Sequence, residues 1–104
     1  MIRKEDTMAE HAHIIRVAKY RPQPGGAQDL REALHALADG MRGLPGLFGA
    51  QACSVDGDPN MLALVSRWQD EHAMQGTGGA RVDELVDRVA GLAEEQQIEH
   101  FIAD

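Results

Sequence analysis

The chain has 104 residues, enough for one domain with a single modest core. Its 17 acidic residues against 10 basic ones leave a net charge of −7, which argues against a non-specific nucleic-acid binder because a polyphosphate would be repelled. A hydrophobic fraction of 43% excludes a disordered chain, and no apolar run approaches the ~20 residues that cross a bilayer.

Residues 1–11 read as a flexible arm. They carry bases but neither the apolar stretch nor the cleavage site of a secretory signal, so a cytoplasmic location is expected, with no membrane partner. From residue 12 onward the chain reads as one domain. Residues 12–20 (AHIIRVAKY) form the first strand, β-branched at Ile14, Ile15 and Val17 and apolar on both faces at its centre. Arg21-Pro22-Gln23-Pro24 should stop it, because proline removes a ladder donor. After Gly25 and Gly26, residues 27–42 place Leu30, Leu34, Leu37 and Met41 at helical spacing, an amphipathic helix that ends at Gly43 and the Leu44-Pro45-Gly46 turn.

Residues 47–55 form a second, smaller-featured strand broken by Gly49. The turn formers Asp56-Gly57-Asp58-Pro59-Asn60 join it to residues 61–68 (MLALVSRW) as a hairpin. This third strand has apolar or small side chains on both faces over most of its length and ends in the only tryptophan, Trp68, at a border with the polar run from Gln69 to His72. One short helical turn follows over residues 70–75. After Gly76-Thr77-Gly78-Gly79, a second amphipathic helix carries Val82, Leu85, Val86, Val89 and Leu92 on one side, with Asp83, Glu84, Asp87 and Arg88 on its wet side. Residues 97–103 alternate weakly as a last strand.

The order β-α-β-β-α-β is the split βαβ arrangement of ferredoxin-like α+β folds, in which two helices cover one face of a four-stranded antiparallel sheet. The other face carries Ile15, Val17, Ala63 and Val65, too apolar for water, so a second copy of the chain is expected to cover it in a homodimer.

With these elements in order, the chain resembles the antibiotic biosynthesis monooxygenase domains of the dimeric α+β barrel superfamily. The resemblance rests on the first strand HIIRVAKY, the Pro-Gly turn and helix, the Leu44-Pro45-Gly46 turn before a glycine-containing strand, and the run Arg67-Trp68-Gln69-Asp70-Glu71-His72-Ala73. It covers nearly everything after the arm. It implies a homodimer whose sheets pair into a barrel, with a small-molecule pocket in each subunit. Some members of that family oxygenate anthrone-like rings with neither metal nor flavin, others degrade haem, and others act on quinols or signalling molecules.

The polyketide-oxygenating members place an Asn, a Trp and a Tyr along the third strand and the turn after it. Trp68 matches the Trp, while Leu64 and Met74 stand at the Asn and Tyr positions. The three haem-degrading positions fall on Ala18, Thr77 and Asp87, and none matches. By the same analogy Ile14, Arg16, Ala18 and Tyr20 on the first strand face the pocket with Leu62, Leu64, Ser66 and Trp68 on the third. Such a lining suits a small aromatic or apolar molecule, stacked on Trp68 and oriented by Arg16, Ser66, the Tyr20 hydroxyl or the indole N–H.

His72 is the candidate general base, being near neutrality in its ordinary pKa, and a solvated surface histidine is the plain alternative. Trp68 reads equally as a core anchor, and Arg16 as the partner of an acid such as Glu99. No metal or other cofactor is expected: His13 and His100 would approach if the first and last strands pair, but a third ligand is missing. Cys53, the only cysteine, has no neighbouring cation in the sequence and reads as a buried structural thiol. The function expected is a cofactor-independent monooxygenase of a small aromatic, polyketide or quinol-type substrate. A non-catalytic ligand-binding dimer, or a non-oxidative cyclase or isomerase using the same pocket, remains an alternative.

Overall fold

Two strands rich in apolar residues on both faces, hydrogen-bonded side by side, form the centre of the molecule. A computed structural model describes residues 13–76 and 78–104; the expected arm and Ala12 lie outside them. Strand β1 (Ile14–Pro22) pairs antiparallel with β3 (Asp58–Trp68) on one side and β4 (Ala93–Ile102) on the other, and β2 (Leu47–Val55) pairs with β3, giving the sheet order β2-β3-β1-β4. Helices α1 (Ala27–Gly40) and α3 (Gly79–Leu92) cross between strands, and the short α2 (Glu71–Gln75) follows β3. This is the ferredoxin-like βαββαβ fold with a four-stranded antiparallel sheet.

Register assigns the faces. Ala18 lies opposite Leu64, Tyr20 opposite Leu62, Arg16 opposite Ser66 and Ile14 opposite Trp68, so all eight sheet positions expected to share a face do share one. The core forms where α1 lays Leu30, Ala33, Leu34 and Leu37 on that face, with Val89 from α3. Burying a leucine of this kind contributes about 1.5–3 kcal/mol. Gly40 lets the two helices approach, since a Cβ there would meet Leu85 Cδ1 of α3.

Several boundaries differ from the expected ones. β1 continues to Pro22, because the proline sits at the end of the ladder, beyond the last pairing with β3, at a register shift in the pairing with β4. The hairpin turn is tighter than the turn-former run: Val55 pairs with Asp58 and Gly57 takes φ +83°, so β3 begins before Met61. Helix α1 ends at Gly40 with Met41 as its cap. Helix α3 starts earlier, at Gly79, and runs straight into β4, which begins four residues before the alternation becomes visible. Cys53 is only half-buried, on edge strand β2, and its thiol lies 3.7 Å from the Gln51 carbonyl.

Candidate functional site

The site begins with the end of β3. Ser66 and Trp68 are two residues apart on a strand and so project on the same side. Both are buried, at 1% and 5% exposure, and the indole Nε1–H donates to Ser66 Oγ at 2.9 Å. Two of the four polar groups expected to orient a ligand are therefore satisfied by each other. The other two, Arg16 and Tyr20, lie along β1 on the same face.

A cavity of about 250 Å³ opens between this face and the helices. The sheet contributes Arg16, Tyr20, Leu64, Trp68 and Gln96 to its wall. Leu37 and Met41 of α1, Leu44 of the following turn and Met74 of α2 form an apolar side, and α3 adds Val82, Asp83 and Val86. The volume lies just under the ~300–1,000 Å³ of pockets for drug-sized ligands, which favours a small one. Five of the expected residues are thus brought together: Arg16, Tyr20, Leu64, Trp68 and Met74. Ala18, Leu62 and Ser66 lie beneath them as buried packing, and Ile14 sits at the end of the strand pair opposite Trp68.

His72 is exposed and lines a neighbouring depression of about 300 Å³ with Pro45, Gly46, Asp70 and Ala73. Trp68, Leu44 and Gly76 belong to both walls, so the indole separates the His72 side from the Arg16 side. The His72 helix is fixed by its cap: Asp70 Oδ1 accepts from Ala73 N at 2.8 Å, supplying one of the acceptors a helix start lacks. Gly46, at φ +78°, packs against it where a Cβ would collide with Ala73 Cβ, and its carbonyl accepts from Gln69 N at 2.7 Å.

Electrostatics distinguish the two ends of the cavity. Burial pushes the Tyr20 hydroxyl above its ordinary pKa, while the charge of Arg16 and a hydrogen bond from it pull the other way. Glu99 does not pair with Arg16 as expected. It lies opposite Val17 on the far face and meets Lys19 Nζ at 3.6 Å. His13 and His100 do not converge either, because His100 pairs with Arg16 in register whereas the His13 carbonyl accepts from Ala103 N. His13 instead packs edge-on against Phe48, with ring centroids 5.5 Å apart. Among the described residues no three His, Cys, Asp or Glu side chains are placed to hold a metal ion.

Asp83 and Gln96 went unnoticed as site residues in the sequence. Asp83 read as part of the wet side of its helix, and the edge of that side is the cavity wall. Gln96 became visible only through its register opposite Tyr20.

The family model of antibiotic biosynthesis monooxygenases matches residues 13–77, more than half of the chain. The chain belongs to that family. No curated protein matches it significantly. Among solved structures, this family member is similar to a conserved protein of Methanosarcina mazei, with 17% identity, TM-score 0.82, and coverage of 94% of this chain and 99% of the other. A Pseudomonas aeruginosa protein matches with 18% identity and TM-score 0.77 over 89% and 95% of the two chains. SnoaB, a cofactor-independent oxygenase from Streptomyces nogalater, in a form with one Asn replaced by Ala, matches with 13% identity and TM-score 0.74 over 88% and 93%. Identities this low establish a shared fold. Within the monooxygenase family frame, Leu64 and Met74 both line the cavity, so the apolar replacements noted in the sequence belong to its wall.

Proposed function

We propose that the protein is a cofactor-independent monooxygenase acting on a small aromatic or quinol-type molecule held in the Arg16–Trp68 cavity. The observation that carries this reading is the meeting of an aromatic wall, Trp68, with a cation and a phenol, Arg16 and Tyr20, in one small cavity of a monooxygenase-family chain. An anthrone-type CH₂ flanked by electron-withdrawing rings loses a proton to a base, and the resulting carbanion gives one electron to O₂. The radical pair combines to a peroxide, and loss of water leaves a carbonyl, so one oxygen atom stays in the product and one leaves in water. The electrons come from the substrate. The candidate proton acceptors are Asp83, on the cavity wall, and His72, in the adjoining depression.

Metal-stripped protein incubated with anthrone and dihydroquinone substrates under oxygen tests the reading. Turnover above the buffer rate is expected, reduced by Trp68→Phe, and Asp83→Asn against His72→Ala separates the two acceptors. Turnover no faster than in buffer refutes it. One observation favours a second reading, a ligand-binding protein without turnover: Leu64 and Met74 are apolar, and the indole N–H is held by Ser66. Aromatic compounds that raise the melting temperature and are recovered unchanged would support it.

We also infer a homodimer joined through the sheet face away from the helices. Val17 and Val65 face each other across the strands there, and Phe101 on the same face is 48% exposed. Sedimentation at twice the chain mass of 11.3 kDa is expected.

A further inference from the structure

Among the described residues no acid forms an ion pair with Arg16. This arginine is half-buried on the helix-facing side of β1. Its cross-strand neighbours are Ser66 on β3, a neutral hydroxyl, and His100 on β4, an exposed imidazole. The acid nearest in sequence register, Glu99, is spent on Lys19 across the other face. A partly desolvated guanidinium on a cavity wall favours a ligand that returns the lost solvation as a charge-assisted hydrogen bond.

Tyr20 completes the geometry. Its hydroxyl shares the cavity wall with Arg16, and a phenol whose pKa burial raises further keeps its proton to donate. A cationic N–H donor and a neutral O–H donor therefore serve the same cavity. Donors fixed in advance in a poorly solvated space are what stabilises a developing oxyanion. Across the cavity, α3 contributes Asp83, while α1 and its cap contribute only the apolar Leu37 and Met41. A second negative charge on the ligand would face that carboxylate.

We propose that Arg16 and Tyr20 form an oxyanion site that binds the phenolate or enolate oxygen of a singly ionised aromatic ligand, with Asp83 selecting against a second anionic group. This deepens the reading of the cavity as the substrate pocket and rests on it. Lowering the pKa of a substrate hydroxyl in this way would raise the electron density of the ring that reacts with oxygen, and Arg16 would be the residue that sets it.

The test needs no turnover. para-Nitrophenol changes its absorption on ionising, and para-nitroanisole is its uncharged ether. Titrated into the full-length protein, the bound phenol is expected to ionise at least one pH unit below the free one, a tenfold preference for the anion. Arg16→Met should abolish the shift and Arg16→Lys should keep part of it. Tyr20→Phe should reduce it, and Asp83→Asn should tighten binding of para-hydroxybenzoate, which adds a carboxylate to the phenol, several-fold more than it changes binding of para-nitrophenol. A bound phenol with an unshifted ionisation in the wild-type protein overturns the oxyanion site, as does a shift that survives in Arg16→Met. Binding of para-hydroxybenzoate that is unchanged or weaker in Asp83→Asn overturns the selecting role of that residue. The ether separates the two levels of argument: if it binds and the phenol shows no shift, only the oxyanion site falls, and if neither compound binds, the substrate-pocket reading falls with it.

Discussion

Replacing Ser66 by alanine removes the acceptor that holds Trp68 and leaves the rest of β3 in place. Ser66 is 1% exposed and accepts the indole N–H at 2.9 Å, so the donor of Ser66→Ala would lose its partner in a place that water does not reach from the serine side. An unsatisfied buried donor costs about 1–3 kcal/mol, a large share of the ~5–15 kcal/mol that holds a domain together. For a domain of about 100 residues each kcal/mol lowers the melting temperature by roughly 4–8 °C. Urea denaturation followed by fluorescence reads the effect at the site, because Trp68 is the only tryptophan. Protein concentration must be held constant, since association would make the midpoint depend on it. A cycle with Trp68→Phe, monitored by circular dichroism, isolates the pair, and a coupling of about 0.5–3 kcal/mol is expected. Ser66→Ala within ~0.3 kcal/mol of wild type, or strictly additive losses, would refute the view that this hydrogen bond fixes the cavity wall.

Tyr20 predicts an alkaline limb of stability. Its folded pKa is raised above the ordinary 10.0, so its contribution is full below pH 10.0 and is lost as the pH rises above that value and through the folded pKa. Tyr20→Phe should flatten that limb, and because Arg16 lowers the same pKa, Arg16→Met should move the tyrosinate absorbance of this single tyrosine to still higher pH. Gly46→Ala forces a side chain into φ +78° and against Ala73, with an expected loss of ~1–3 kcal/mol in thermal denaturation. Asp70→Ala removes the cap of α2 and should cost about 0.5–2 kcal/mol by the same measurement. Val65→Asp, on the sheet face opposite the helices, should yield a folded monomer by sedimentation, and a dimer that persists unchanged would count against that interface.

Composition and periodicity determined the order of elements and the assignment of each strand residue to a face. Both depend on local geometry: a strand alternates with period two, so once Trp68 is placed, Ser66, Leu64 and Leu62 follow. The resemblance to the monooxygenase family set Arg16, Ala18 and Tyr20 beside them, and the ladder between β1 and β3 keeps that alignment. The resemblance of the Arg67 to Ala73 run to the monooxygenase family was legible for the same reason, since the run marks one junction of strand, turn and short helix.

What a single row of letters does not carry is register between distant strands and the side of a helix on which a partly polar wall falls. Glu99 was one residue from where it would have met Arg16, and one residue along a strand is the opposite face, which is why Lys19 took it. Asp83 looked solvated because charge on a helix usually is, but the cavity begins at the edge of the apolar stripe. Ser66 and Trp68 were read as two groups open to a ligand, whereas their tertiary packing leaves them facing each other. The sequence by itself thus determined which residues share a face of this strand, and the family resemblance implied a pocket against it. Only the tertiary structure decided which of its polar groups remain open, because that depends on distances among β1, β3, β4 and α3 that no local pattern encodes.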